Sequence, residues 1–233
     1  MPDIAEIKVL SSLATKEAYL ELVPQFERAT GHRISTTWAG TVGIMKRLTA
    51  GEIYDLIVIS SASLDELIKQ GKVVAGSRVD LAKTGIGVAV GAGAPKPDIS
   101  SADALKRALL AAKTVGYSTG PSGVYLAGLF ERMGIAAEVK AKTRQVPSGG
   151  TVATILANGD AEIGFQQVSE LAHVPGVDFV GPLPAEVQHV TVFSCGIQTG
   201  AKSPDAAREL VRFLTAQAAL PVFKKHGLEV GAR

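Results

Sequence analysis

The stretch Ile7-Lys8-Val9-Leu10-Ser11-Ser12-Leu13-Ala14-Thr15-Lys16-Glu17 is an apolar strand, 7–10, that runs into two hydroxyl residues and straight into a helix. Ser11 and Ser12 stand where an N-cap belongs, and Glu17 places a carboxylate in the opening turns. The N–H groups of that first turn point back across the strand end, and the helix dipole adds partial positive charge. A strand's carboxyl end feeding a helix N-terminus is a ready anion site. Capping alone explains two serines at one junction. Recurrence of the arrangement along the chain is what points to function.

Working outward, the first helix is expected over 14–30, with Leu20, Leu22, Val23 and Phe26 on its apolar face. A strand rich in Ile and Thr follows at 33–38. Ala39-Gly40-Thr41 turns into a helix over 42–50. The strand at 55–60 carries the run Leu56-Ile57-Val58-Ile59, and Ser61-Ala62-Ser63 starts a helix over about 64–70, ended by Gly71. Continuous apolar strands separated by helices predict a parallel sheet covered on both faces.

A strand at 85–90 precedes the strongest break in the chain, Gly91-Ala92-Gly93-Ala94-Pro95-Lys96-Pro97. A second series then runs through a helix at 102–112, a strand at 114–117, the turn Ser118-Thr119-Gly120-Pro121-Ser122-Gly123 and a helix to Met133. It continues with a short strand near Val139, a helix opened by Gly149-Gly150-Thr151 and running to Asn158, and strands at 161–165 and 190–196. Helices at 205–215 and about 218–226 close the chain. The pattern predicts an α/β fold of two lobes with a ligand cleft between them. One lobe is 1–84 plus 191–233 and the other 85–190, with hinge strands near 85–90 and 190–196. A ligand between lobes joined by two crossovers implies hinge closure.

Composition narrows the function classes. The net charge is +2 from 24 Lys plus Arg and 22 Asp plus Glu, and aromatic residues make up 5%, so a nucleic-acid partner has no support. No apolar run approaches a membrane span. Cys195 is single, which excludes an internal disulfide, and its apolar strand predicts a core residue. His32, His173, His189 and His226 lack metal-ligand spacing, so neither a metal nor another cofactor is expected. Gly91-Ala92-Gly93 imitates half of a dinucleotide fingerprint, but Pro95 and Pro97 follow it, which makes it a turn. Met1-Pro2-Asp3-Ile4-Ala5-Glu6 has no basic or apolar leader region. The expectation is a periplasmic protein if a leader was removed and a cytoplasmic one otherwise. A monomer is expected.

The order of elements resembles the type II periplasmic substrate-binding proteins, and within them the molybdate-binding proteins of ABC transporters. Leu10-Ser11-Ser12, Ala39-Gly40-Thr41, the run 55–60, Asn158-Gly159-Asp160-Ala161-Glu162-Ile163-Gly164 and the helix 205–215 carry the resemblance, over nearly the whole chain. It implies that a tetrahedral oxyanion is held by uncharged hydroxyls and backbone N–H groups. The first serine falls on Ser11 or Ser12. The second, from a Ser-Ser-Gly loop, falls on Gly40–Thr41, leaving Thr41 as the hydroxyl. Two backbone donors fall near Ser122–Gly123 and Thr151–Val152, and a tyrosine hydroxyl falls on Gln167. An ABC permease is the implied partner if the protein is exported.

The departures at Thr41 and Gln167 change the donor set, and Gln166 and Gln167 suit a planar carboxylate. Some proteins that resemble molybdate-binding proteins are aconitate isomerases, so a tricarboxylate isomerase is the alternative. For it the possible bases are Lys16, Glu17, Tyr117 and His189. Lys16, Lys46 and Arg47 are expected on solvated faces.

Overall fold

The structure, a computed structural model, describes residues 4–146 and 150–230. In chain order its elements are β1 (Glu6–Ser12), α1 (Lys16–Thr30), β2 (Arg33–Ala39), α2 (Thr41–Thr49), β3 (Leu56–Ser60), α3 (Ser61–Lys69), β4 (Val79–Gly91), α4 (Ala102–Ala111) and β5 (Val115–Ser118). There follow α5 (Pro121–Arg132), α6 (Ala136–Ala141), β6 (Thr143–Val146), α7 (Val152–Ala157), β7 (Ile163–Gln167), β8 (Val177–Pro182), β9 (Val190–Ile197), α8 (Pro204–Leu214) and α9 (Leu220–Lys225). Contacts divide the chain into two compact units, Met1–Lys83 with Val192–Arg233, and Thr84–Thr191.

In the first unit the strand order is β2-β1-β3-β9. β1 runs parallel to β2 and β3, whereas β9 lies antiparallel against β3. Every residue of β3 is buried, as an apolar run covered on both faces must be. One face packs Ile7, Val9, Leu22, Phe26, Leu210 and Phe223 together. The other packs Leu10, Ile44, Ile57, Ile59, Leu64 and Leu67. On α1 the buried stripe is Ala18, Tyr19, Leu22 and Phe26. Leu20 stands about 200° around the helix from Ala18 and is 47% exposed, which corrects the expectation that it faces the core.

Asp55 precedes β3 and holds this unit together. Its buried carboxylate accepts the N–H of Lys8 at 2.8 Å and those of Lys202 and Ser203 at 2.7 Å each. One side chain thereby fixes β1, the entry to β3 and the approach to α8.

In the second unit the order is β4-β7-β5-β6, with β8 also pairing with β4. β5 is parallel to β6 and β7, while β4 pairs antiparallel with β7 and β8. Ile86, Val88, Leu105, Leu109, Leu126, Phe130 and Phe165 form the main core. Gly116 and Gly164 lie side by side in register. A β-carbon at Gly164 would come 2.5 Å from Val152 Cγ1, and one at Gly116 would come 2.6 Å from Ile155 Cδ1. The glycine pair thus lets α7 lie directly on the sheet.

The sheets are mixed, not all-parallel as the sequence suggested, because β9 and β4 run against their neighbours. Val139 belongs to α6, and the short strand is β6, four residues later. Gly149 lies outside the described residues. α1 starts at Lys16, after a 3-10 turn over Leu13–Thr15.

Candidate anion site: strand ends and helix starts

Because β1, β2 and β3 are parallel, their carboxyl ends share one edge of the first unit's sheet. Each end feeds a helix start. Ser12 is extended (φ −64°, ψ 144°), and its Oγ accepts the Ala14 N–H at 3.4 Å, a long cap that leaves the hydroxyl hydrogen to donate. Ser11 is fully buried, with its Oγ 3.1 Å from Thr15 Oγ1 and 3.3 Å from the Ser12 carbonyl. Ser11 therefore locks the turn, and Ser12 is the serine with an O–H to spare.

Gly40 caps α2 with extended backbone and no side-chain bond. Thr41 is the first helical residue and half-buried, and its hydroxyl has no protein partner among the described residues. Ser60, at the end of β3, supplies a third hydroxyl on this edge, and its Oγ donates to Ser63 Oγ at 2.9 Å. The sequence reading left Ser60 out, although Ser60-Ser61 repeats the strand–hydroxyl–helix pattern of Ser11-Ser12.

The second unit repeats the device where β5, β6 and β7 end. Gly120 caps α5, which leaves the first-turn N–H groups of Ser122 and Gly123 without intrahelical acceptors. Ser122 is 2% exposed, and no protein group among the described residues engages its hydroxyl. Thr151 caps α7, accepting the Thr154 N–H at 3.3 Å while its Oγ1 lies 2.8 Å from Thr154 Oγ1.

Three of the expected donors already have partners within the protein. The Val152 N–H donates to Gln166 Oε1 at 2.8 Å, so a side chain takes the place expected for a ligand acceptor. Gln166 Nε2 in turn donates to Glu170 Oε1 at 2.6 Å. Gln167, also buried, is tied to the two strands where the chain passes between units. The orientation that satisfies every neighbour has its amide nitrogen donating to the Thr84 and Gly85 carbonyls, 3.2 Å each, and its oxygen accepting from the Thr191 hydroxyl at 3.1 Å.

Glu170 was absent from the candidates. It ends a 3-10 turn over Val168–Glu170, directly after β7. Burial pushes its carboxyl up to about 8, against the smaller lowering effect of the Gln166 bond. The adjacent Ser169 Oγ is buried with no hydrogen-bond partner.

The remaining candidates are placed as follows. His32 is structural: Nδ1 accepts the Ala5 N–H at 3.1 Å, and Nε2 lies 3.3 Å from Glu209 Oε2. His189 stacks on Tyr125 with ring centroids 4.5 Å apart. Cys195 is fully buried, and burial pushes its thiol up to about 12. No group of three His, Cys, Asp or Glu among the described residues could hold a metal, and no helix among them is long and apolar enough to cross a membrane. A cavity of about 650 Å³ in the first unit is lined by Arg78, Asp80, Lys83 and Arg212 with several valines, and none of the strand-end donors line it. Arg78 there is already paired with Asp65 and Asp80, and Lys83 with Glu229.

Residues 7–229 match the model of a family described as bacterial extracellular solute-binding protein. The chain is 38% identical over 232 residues to an aconitate isomerase of a Pseudomonas species, covering 97% of this chain and 88% of the relative. It is 26% identical over 230 residues to the molybdate-binding protein ModA of Azotobacter vinelandii, covering 96% and 89%. By structure it resembles the periplasmic molybdate-binding protein of Azotobacter vinelandii with a TM-score of 0.82 at 18% identity, covering 97% of this chain and 100% of that one. The fold is therefore that of the periplasmic binding proteins.

Proposed function

The chain belongs to the bacterial extracellular solute-binding proteins, and from that premise we propose that it binds a small polycarboxylate of the aconitate class and moves a double bond within it. The observation that carries the reading is the donor set. The hydroxyls of Thr41 and Ser122 have no protein partner among the described residues, and Ser12 keeps a hydrogen to donate. Each unit adds its own first-turn N–H groups at the carboxyl ends of its parallel strands, those of α2 in the first and those of α5 in the second. Such donors neutralise carboxylates without a fixed Lys or Arg.

Two features favour a carboxylate over a tetrahedral oxyanion. The position expected to carry a tyrosine hydroxyl holds Gln167, whose amide is engaged within the protein. The isomerase relative is also the more similar of the two, 38% against 26% over nearly the same length. The receptor reading rests on the molybdate-binding relative. It would make this an exported monomer that hands its anion to an ABC permease.

A thermal-shift panel of molybdate, tungstate, sulfate, phosphate, citrate and cis- and trans-aconitate separates the readings, because a ligand of the native state raises the melting temperature. Stabilisation by aconitate, followed by double-bond migration in the proton NMR spectrum, is the expected result. Stabilisation by molybdate and tungstate alone would replace it with the receptor reading.

A further inference from the structure

We propose that Glu170 is the group that moves the proton, a role that rests on the isomerase reading above. The lengths of the chain's own contacts lead to it. The Val152 N–H holds Gln166 Oε1, which turns the amide so that its NH2 faces the Glu170 carboxyl. Oε1 of Glu170 is thereby fixed as an acceptor, and Oε2 is the oxygen that carries a proton. β5 and β7 are parallel neighbours, with Tyr117 opposite Phe165, so the Ser118 and Gln167 ends share an edge. Glu170 therefore sits on the edge of the second unit that also carries the unengaged hydroxyl of Ser122 and the first-turn N–H groups of α5.

No other group among the described residues combines these properties. Of the described carboxyls whose acidity departs from the ordinary, those of Glu21, Glu52, Asp80 and Asp98 are pushed down by hydrogen bonds. Glu170 alone is pushed up, by burial, with the Gln166 bond as the counteracting influence. A base whose pKa lies near the working pH is both available as carboxylate and strong enough to act.

The step balances within the ligand and this one residue. The Glu170 carboxylate takes a proton from the methylene carbon, and the C–H electron pair enters the conjugated double bond and its carboxylate. The Ser122 hydroxyl and the first-turn N–H groups of α5 hold that added charge. Oε2 then returns the proton to the carbon at the far end of the allylic system. The double bond has moved, Glu170 is a carboxylate again, and nothing is oxidised or reduced.

The test follows aconitate by proton NMR with wild type, Glu170→Gln and Gln166→Leu. Glu170→Gln should still be stabilised by aconitate in a thermal shift, while turnover falls by roughly 10²–10⁴-fold. Wild-type kcat/KM should rise with pH with its midpoint at about 8. Gln166→Leu, which removes the bond that favours the charged form, should move that midpoint to higher pH. In deuterated solvent, product from the wild type should retain some protium at the new C–H. Wild-type turnover in Glu170→Gln, or an unmoved pH midpoint in Gln166→Leu, would overturn the assignment while leaving the isomerase reading intact. A wild-type protein that leaves aconitate unchanged would remove both.

Discussion

The first turn of α5 lies so close to the end of β5 that a β-carbon at Gly123 would stand 1.6 Å from the carbonyl oxygen of Ser118. Both partners are backbone, so neither can swing aside. Gly123→Ala must push the helix start away from the strand end. Denaturant unfolding should show a loss of about 3 kcal/mol, at the upper end for overpacking. Because the displaced turn carries the Ser122 and Gly123 N–H groups, ligand affinity should fall with it.

The two serines of β1 should behave oppositely. Ser11→Ala removes a buried hydroxyl bonded to Thr15 and is expected to cost about 1 kcal/mol of stability, with ligand affinity little changed. Thr41→Ala should leave stability within about 0.5 kcal/mol, and Ser12→Ala, which gives up only a long cap on Ala14, should cost about 0.5 kcal/mol. Each should weaken ligand binding about tenfold, the equivalent of about 1.4 kcal/mol. Calorimetric titration beside urea melts separates the two patterns, and an unchanged dissociation constant for Thr41→Ala would remove Thr41 from the site.

Glu170 makes stability depend on pH. Its carboxyl is raised from 4.5 to about 8 on folding, so between those values the native protein holds a proton that the unfolded chain has released. The contribution is fully present below 4.5, declines as pH rises through that window by up to about 1.4 kcal/mol per pH unit, and is gone above about 8. Glu170→Gln has no such proton. Its unfolding free energy relative to wild type should therefore climb steadily across the window. Urea melts of both proteins at several pH values check this, and a constant difference would show that Glu170 does not titrate there.

Cys195 tests the packing of β9. Its thiol is fully buried, and burial pushes it up to about 12. The native protein should react with a maleimide only as fast as it unfolds, and addition of denaturant should release the full stoichiometric reaction.

The parts of this fold that are local in sequence were legible in it. Ile7 to Ser12 announced a strand and a helix start through alternation and hydroxyl residues, and the same signals located α2, α3 and α5. What could not be read depends on partners far along the chain. The Val152 N–H is an open donor by its position in α7, and only folding brings Gln166 across to occupy it. Glu170, in the short turn Val168-Ser169-Glu170, has the composition of a surface turn; it is half-buried, and the desolvation that raises its carboxyl comes from neighbours distant in sequence. β8 has no buried face to mark it, because five of its six residues are half-buried and Pro182 is exposed. The direction of β9 is not encoded in which residues it contains, so an apolar run looked parallel when it is antiparallel.

The carboxylate of Asp55 has a consequence for how the chain is made. Two of its three backbone partners, at Lys202 and Ser203, lie 147 and 148 residues downstream. During synthesis Asp55 leaves the ribosome after Lys8, but its bonds to Lys202 and Ser203 must wait until most of the protein exists. The uninterrupted segment Thr84–Thr191 can collapse on its own core in the meantime. The first unit is then the late folder, delayed by the long loop it must close before β9 and α8 can join β1 and β3. An Asp55→Ala chain should accordingly accumulate with the middle segment protected from protease and the two flanking segments cut.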